Sequence, residues 1–313
     1  MLAAPLNVHI MQALEAGPLA PLSLRRAANS PPQSTMRVYL RDLTAVGVLE
    51  RHRQDSFPPV VEYALTAGGR ALLKVGEVLQ AWLKAAPEGE ILLGTPASKS
   101  ATRALVDGWS TNIVRALAAR PYSLTELSRL NNQTSYPALE RRLAAMRLVN
   151  QVEAIRVDGR GTPYRATEWL RQSIFSLTAA TAWERRYIPD SSTRIGRLDV
   201  EAAFLLAAPL MQLPTDVNGM VRLGVEVQGG ASPVLAGALI RIQDGKVASS
   251  SNRLEGKVDA SVTGTAMAWL RQMRGGASLQ VEIGGNQALG ELVADALRVS
   301  AVAAFEPLDP SVS

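Results

Sequence analysis

The 313-residue chain contains no cysteine, which removes disulfides, thiolate metal ligands and thiol-based redox sensing from its chemistry. Histidine is almost as scarce. His9 and His52 are the only imidazoles, so neither a Ser-His-Asp arrangement nor a histidine-rich metal site is expected. Long hydrophobic runs are missing too: the longest, Ala202 to Met211, is interrupted by Pro209 and is far too short to cross a bilayer. The first charged side chain is Glu15, so the basic start of a signal peptide is lacking and a soluble, cytoplasmic protein without membrane contact is expected. There is no phosphate-cradling glycine loop, no His-Glu-x-x-His and no Cys-x-x-Cys. Carboxylate pairs such as Asp199 and Glu201 occur without a pattern that brings them together. The expectation is a protein that is not an enzyme, with no catalytic residues, no metal and no cofactor.

What the chain does have is internal repetition, which decides architecture before local detail does. Ile10-Met11-Gln12-Ala13-Leu14-Glu15-Ala16-Gly17-Pro18 returns as Ile113-Val114-Arg115-Ala116-Leu117-Ala118-Ala119-Arg120-Pro121, at an offset of 103. Tyr63, Thr66, Arg70 and Ala81-Trp82 return as Tyr164, Thr167, Arg171 and Ala182-Trp183, at an offset of 101. Two copies of one small domain stand in tandem, and about a third of the chain lies outside them. Charge follows the same division. Residues 1–190 carry 23 basic and 16 acidic side chains, whereas residues 191–313 carry 10 and 12. An excess of cationic charge confined to the repeats fits either a polyanion binder or an Arg-rich solvated surface.

The first copy opens with an amphipathic helix around Val8, Met11 and Leu14 that stops at Gly17-Pro18. A second helix spans Leu22 to Ala28. Ser30-Pro31-Pro32-Gln33 reads as a capping box with Pro31 at the first helical position, starting a third helix. Met36, Leu40 and Leu43 share one face of that helix, which leaves Ser34, Arg37, Val38 and Arg41 on the other. Two extended runs follow, Val48 to Arg53 and Val60 to Leu65, around an Asp55–Pro59 turn, and a last helix runs from Ala67 to Ala85. Three helices and a hairpin are the order of a winged helix-turn-helix, whose third helix enters the major groove while basic wing residues, here Arg51 and Arg53, approach the backbone of double-stranded DNA.

The second copy repeats the order. Leu139, Leu143 and Met146 form the apolar face of its third helix, Arg141 and Arg142 flank it, and Glu140 stands where the first copy has Arg37. Its wing turns at Asp158-Gly159, a two-residue hairpin signal, with Arg156 and Arg160 on either side. The acidic replacement marks this copy as the weaker DNA reader or in part a scaffold.

The run Phe57-Pro58-Pro59-Val60-Val61-Glu62-Tyr63-Ala64-Leu65-Thr66-Ala67-Gly68-Gly69-Arg70, with Ala81-Trp82 downstream, resembles the wing and following helix of HxlR-type winged-helix transcription regulators. Ala16-Gly17-Pro18-Leu19 and the stretch Leu43 to Arg51 resemble that family's helix 1 end and recognition-helix exit. The likeness covers residues 5 to 85. The second copy is more distant: it keeps Gly161-Thr162-Pro163-Tyr164 and Thr167 but lacks the Pro-Pro pair and has Asn150 in place of a glycine. The resemblance implies dimerisation through helices outside the helix-turn-helix core. A tandem chain would then imitate a dimer within one molecule, through Leu2–Leu14 and Ala71–Trp82 against Leu105–Leu117 and Leu170–Trp183, or would pair as a homodimer. Relatives that sense oxidants through cysteine have no counterpart in a chain without it.

Beyond residue 190 the pattern changes. A helix from Leu198 to Leu213, broken near Pro209, precedes strands Met220–Gln228, Val234–Ile242 and Lys246–Ser250, with Asp244-Gly245 as a hairpin turn. Strand-like Lys257–Thr263, helix Thr265–Met273, strand Leu279–Ile283 and helix Gln287–Phe305 complete it. A twisted sheet with helices over one face is expected. The order resembles the sterol-carrier-protein-2-like domain, with Gly264 to Leu270 and Ile283-Gly284-Gly285-Asn286 at its central helix and glycine turn. That resemblance implies an apolar tunnel for a small hydrophobic ligand. Leu206, Leu210, Met211, Met220, Met267, Trp269 and Met273 are then its candidate lining, or else ordinary core.

The expected fold is α+β: winged helix-turn-helix domains at residues 1–95 and 96–190, then an α/β sterol-carrier-like domain at 191–313. The expected function is a bacterial-type transcription regulator that binds duplex DNA and is modulated by a hydrophobic ligand, with the helix Leu170–Tyr187 as the connecting element. Two other readings stay open. One is a protein that sequesters a hydrophobic compound on a winged-helix scaffold; the other is an assembly module without ligand.

Overall fold

The computed structural model describes residues 1–54, 60–130, 134–156, 161–188, 197–227, 234–273 and 281–302. The chain divides into two units, one of Met1–Arg103 with Ala179–Ser192 and one of Ala104–Thr178 with Thr193–Ser313. The expected Asp55–Pro59 turn, the expected wing tip at Asp158-Gly159 and the boundary near residue 190 lie outside the described residues.

The first unit begins with helices α1 (Pro5–Ala13) and α2 (Pro21–Ala27), each opened by a proline whose missing N–H is harmless in a first turn. Val8, Ile10, Met11 and Leu14 are buried, as the spacing requires. Helix α3 (Gln33–Ala45) buries Met36, Leu40 and Leu43. Its start differs from the sequence reading. Ser30 has φ of 51°, in the left-handed region beside Asn29 at 62°, and no side chain caps α3. The Pro-Pro pair excludes the expected start: Pro31 precedes Pro32, and a residue before proline is kept out of the α region, so Pro31 cannot be the first helical residue and Pro32 takes the N-cap position before Gln33. The Arg25 Nε donates to the Pro31 carbonyl at 2.7 Å and closes the turn instead.

Strands β1 (Leu49–Gln54) and β2 (Val60–Leu65) pair antiparallel, with Arg51 opposite Tyr63 and Arg53 opposite Val61. Leu19 adds a bridge to Tyr63 through mutual backbone bonds of 3.0 and 2.9 Å. Helix α4 (Ala67–Lys84) buries Leu72, Val75, Val78, Leu79, Trp82 and Leu83. Burial of that many large side chains, at about 1.5–3 kcal/mol each, outweighs any propensity term in holding α4. Helix α5 (Pro96–Ser110) starts in this unit and ends in the second. Residues 179–187 return to the first unit, where the Trp183 indole N–H donates to the Gly68 carbonyl at 2.7 Å.

In the second unit the helix α6 (Ile113–Ala119), strand β3 (Tyr122–Ser123), helices α7 (Leu124–Leu130) and α8 (Tyr136–Leu148) and strands β4 (Val152–Ala154) and β5 (Pro163–Ala166) follow in turn, and helix α9 (Glu168–Tyr187) starts there and ends in the first unit. The sheet order is β3-β5-β4, with Tyr122 opposite Tyr164. A capping box does occur here: Ser123 N–H donates to Glu126 at 2.8 Å and Glu126 N–H to the Ser123 hydroxyl at 3.3 Å. Those bonds, with Arg120 nearby, hold the Glu126 carboxyl below the usual carboxylate range.

One hydrogen-bonded corner occurs in both units. The Thr66 hydroxyl is 2.6 Å from the Gly47 carbonyl and 3.2 Å from that of Val48, and accepts from Gly69 N–H at 2.9 Å. The Thr167 hydroxyl is 2.9 Å from the Asn150 carbonyl and 3.0 Å from that of Gln151, and accepts from Leu170 N–H at 3.2 Å. Gly47 and Asn150 both sit at positive φ, 74° and 57°, so the one non-glycine replacement is by a residue that tolerates that conformation.

Helix α10 (Arg197–Ala207) and a short 3-10 turn (Ala208–Leu210) then lead into β6 (Gly219–Val227), β7 (Val234–Gln243) and β8 (Lys246–Ser251). Strand β9 (Ala260–Thr265), helix α11 (Ala266–Met273), strand β10 (Glu282–Gly285) and helix α12 (Gln287–Val302) complete the chain. The sheet order is β10-β9-β6-β7-β8, with β6 and β9 parallel and every other pair antiparallel. Helices α10, α11 and α12 contact one another and the sheet. Strand β9 starts at Ala260 and not at Lys257 because Asp259 exchanges backbone and carboxylate bonds of 2.8 Å with Met220, which fixes where pairing begins.

Gly69 has no room for a side chain: a Cβ there would run into the Val48 carbonyl oxygen. Gly69→Ala is expected to cost about 2–4 kcal/mol despite its gain in helix propensity. Asn150→Gly, which removes a left-handed non-glycine, is expected to change stability by less than about 1 kcal/mol. Thermal unfolding followed by circular dichroism checks both; an unchanged midpoint for Gly69→Ala contradicts the corner geometry.

Candidate nucleic-acid interface

The division of α3 into two stripes positions the candidate site. Met36, Leu40 and Leu43 anchor the helix, and Ser34, Arg37, Val38 and Arg41 are all exposed, with Val38 at 43%. Arg37 makes no ion pair among the described residues. Arg41 is held by its neighbour: its Nε and Nη2 donate to Asp42 Oδ1 at 3.1 and 3.0 Å. Arg51 and Arg53 are exposed on β1 and alternate with Glu50 and His52, which lie 3.3 Å apart on the strand's other face. Sequence reasoning gave the cations but not Asp42, because a neighbour-to-neighbour pair has no periodic signal.

The second-unit candidates are arranged differently. Arg141 is exposed, Arg142 is half-buried and Arg156 is exposed, while Arg160 lies outside the described residues. The exposed residues of α8 are Tyr136, Pro137, Glu140, Arg141, Ala144, Arg147 and Leu148, the last 82% exposed. Arg171, the counterpart of exposed Arg70, is spent within the unit. Its guanidinium donates to the Leu205 carbonyl at 2.8 Å and to that of Ala118 at 3.4 Å, joining the ends of α10 and α6. Burial pushes its pKa below the ordinary value.

Asp199 and Glu201, unconnected in the sequence, reinforce that junction. The Trp109 indole donates to Asp199 at 2.9 Å, and Arg115 and Asn252 donate to Glu201 at 2.8 and 3.1 Å. Of the candidate cavity residues, Leu206, Met211 and Trp269 are buried, and Leu210 and Met220 are half-buried. Trp269 stacks edge-on against Phe204 with centroids 4.6 Å apart and donates to the Gly224 carbonyl at 2.8 Å. The side chains of Met267 and Met273 lie outside the described residues. In the first unit a cleft of about 340 Å³ runs between α1 and α4, with Val8, Met11 and Leu73 in its floor and Glu15, Glu77 and Lys84 on its rim.

Comparison with known proteins places the first unit. Residues 5–90 match the HxlR-like helix-turn-helix family, so the chain carries an HxlR-like helix-turn-helix domain there. Among solved structures, the diamide-treated YodB of B. subtilis is 29% identical over 23% of this chain and 72% of its own, with a TM-score of 0.23. A MarR-family transcriptional regulator of Enterococcus faecalis V583 is 28% identical over 25% of this chain and 77% of its own, with a TM-score of 0.23. No curated protein matches the chain. Among the described residues, no helix is long and apolar enough to cross a membrane.

Asp42 would compete with a phosphate placed on Arg41, so with Arg41 in a DNA interface Asp42→Asn is expected to raise affinity for duplex DNA two- to five-fold at low salt, the range of about 0.5–1 kcal/mol for one exposed charge. The gain should vanish as salt approaches about 0.5 M. Fluorescence anisotropy titration reads it, and equal affinities at low salt would remove Arg41 from the interface.

Proposed function

We propose that the chain is a DNA-binding transcription regulator in which α3 is the reading element and β1 the flanking basic strand. The observation that carries this reading is the pairing of an HxlR-like helix-turn-helix match with a third helix whose cationic stripe is open. Arg37 has the donor geometry for guanine in the major groove, Val38 suits a thymine methyl, and Ser34, Arg41, Arg51 and Arg53 suit phosphates.

The finer reading is of two tandem winged helix-turn-helix copies. It is supported by the threonine corners, by the strand bridges Leu19–Tyr63 and Tyr122–Tyr164, and by the shared element order. In this reading Arg141, Arg142, Arg156 and Arg160 give at most an auxiliary phosphate contact. We further propose that the region from α10 onward is a sterol-carrier-like domain that accepts a small apolar molecule beside Leu206, Leu210, Met211, Met220, Met267, Trp269 and Met273. Support comes from its order of helix, three-stranded meander, strand, helix, strand and helix. The α6–α10 junction is the element through which such a ligand would act, provided the ligand has different affinity for the DNA-competent and incompetent arrangements.

Selection of duplex DNA on the full chain is expected to return a defined site, with affinity falling steeply as salt rises. Arg37→Ala with Arg41→Ala should weaken that site at least tenfold and lower the salt slope by about 1, since Arg41 is the phosphate contact of the two and each such contact contributes about 0.9. Arg141→Ala with Arg142→Ala should weaken it less than threefold. The reverse ranking would make α8 the reader, and an unselective pool would overturn the regulator.

A further inference from the structure

The stripe of α8 that stands in the register of the α3 reading stripe has changed its chemistry. Gln33, Arg37, Arg41 and Ala45 on α3 correspond, at the repeat offset of 103, to Tyr136, Glu140, Ala144 and Leu148 on α8. Spaced by four, these residues line one face of the helix. Two cations have become a carboxylate and a methyl group, and the ends have become large apolar side chains that are 46% and 82% exposed. Exposed Arg141 and Arg147 flank the stripe and leave phosphate a contact beside it, but the stripe itself offers phosphate none. Exposed tyrosine and leucine at the two ends of one helix are instead the anchors of a protein contact.

We propose that this face pairs with the same face of a second copy of the chain, across a two-fold axis beside the middle of α8; the inference rests on the tandem reading above. The stripe is self-complementary when one helix is reversed on the other about residue 142. Tyr136 then meets Leu148 of the partner subunit, and Glu140 meets the small Ala144 of the partner subunit, which lets the helices approach. Along the axis Glu140 falls midway between Arg141 and Arg147 of the partner subunit, about 4.5 Å from the level of each at a rise of about 1.5 Å per residue. Glu140, Arg141 and Arg147 are exposed and make no ion pair among the described residues, so the cross-subunit pairs displace nothing. Such isologous contacts, in which one patch meets itself, are the commonest route to a closed dimer.

The size of the face sets the strength. A helix of 13 residues is about 20 Å long and buries less than the ~800 Å² per partner of a standard interface, so the pairing is weak and depends on concentration. Its use is in reading DNA. A chain with one reading helix covers one half-site, whereas a two-fold pair supplies two copies of α3 for an inverted repeat.

The test is sedimentation velocity on the full chain between about 1 and 200 µM, where a monomer–dimer equilibrium with a midpoint of tens of micromolar is expected. Leu148→Asp should keep the chain monomeric throughout, with circular dichroism and thermal midpoint unchanged because Leu148 is exposed. Glu140→Arg alone, and Arg141→Glu with Arg147→Glu in another chain, should each weaken pairing at least tenfold. A mixture of those two variants should recover it, since both two-fold sites become complementary again. A wild-type chain that stays monomeric, dimers indifferent to Leu148→Asp, or a mixture that fails to recover overturns the proposal. Indifferent dimers would point to another surface, such as the α1–α4 cleft, and loss of DNA affinity by monomeric Leu148→Asp at a single half-site would put α8 on DNA. Normal pairing by a chain that selects no DNA site would leave this dimer standing and remove the regulator reading, so the two failures are separable.

Discussion

A single threonine hydroxyl ties α3 to the rest of its domain. Thr66 bonds the carbonyls that follow α3 and, from the other side, caps the first turn of α4, so the exit of α3, the start of β1 and the direction of α4 are fixed at one corner. Each bond contributes about 1 kcal/mol, which is small beside the apolar burial on α4. What the corner contributes is orientation. Left-handed Gly47 turns the chain there, side-chain-free Gly69 lets α4 approach the Val48 carbonyl, and α3 is left with one face in the core and the other in solvent. The same corner, rebuilt with Asn150 and Leu170, recurs at Thr167.

Much of this was legible in the sequence because it depends on local periodicity. Met36, Leu40 and Leu43 at helical spacing separate a buried stripe from Ser34, Arg37, Val38 and Arg41, and the structure keeps that separation. Strand and helix order after residue 196 was readable for the same reason, from alternation in Met220–Val227 and from turn residues such as Asp244-Gly245. Features set by neighbours were not legible. The Ser30 cap gave way to the conformational demand of consecutive prolines, while the capping box at Ser123 and Glu126 was not read from the sequence. Nor does any spacing rule connect Arg115 to Glu201 or Arg171 to the Leu205 carbonyl, because those partners meet only through tertiary packing.

Those tertiary partners bear on how the proposed regulator would respond to a ligand. Arg70 is exposed, whereas Arg171, which lies 101 residues further on, is drawn inward to bond the carbonyl ends of α6 and α10. Arg115, which replaces Gln12 of the first copy, meets Glu201 on α10, a carboxylate only 8% exposed. A partly buried ion pair is weak evidence for stability but costly to break, so α10 does not slide freely on α6. In the proposed regulator, a shift of α10 within its own sheet region would be passed to α6 through these bonds.

In the tandem reading proposed above, α3 and α8 carry different chemistries on one scaffold. Helix α3 keeps an arginine without an ion-pair partner at its centre, and α8 carries a carboxylate at that position between two apolar ends. The central claim, that α3 is the element inserted into DNA, is tested most directly by hydrogen exchange on the full chain with and without its selected duplex. Slower exchange is predicted in peptides covering residues 33–45 and 49–54, with little change over residues 136–148. Protection confined to residues 136–148, with α3 exchanging as in the free protein, would contradict the account.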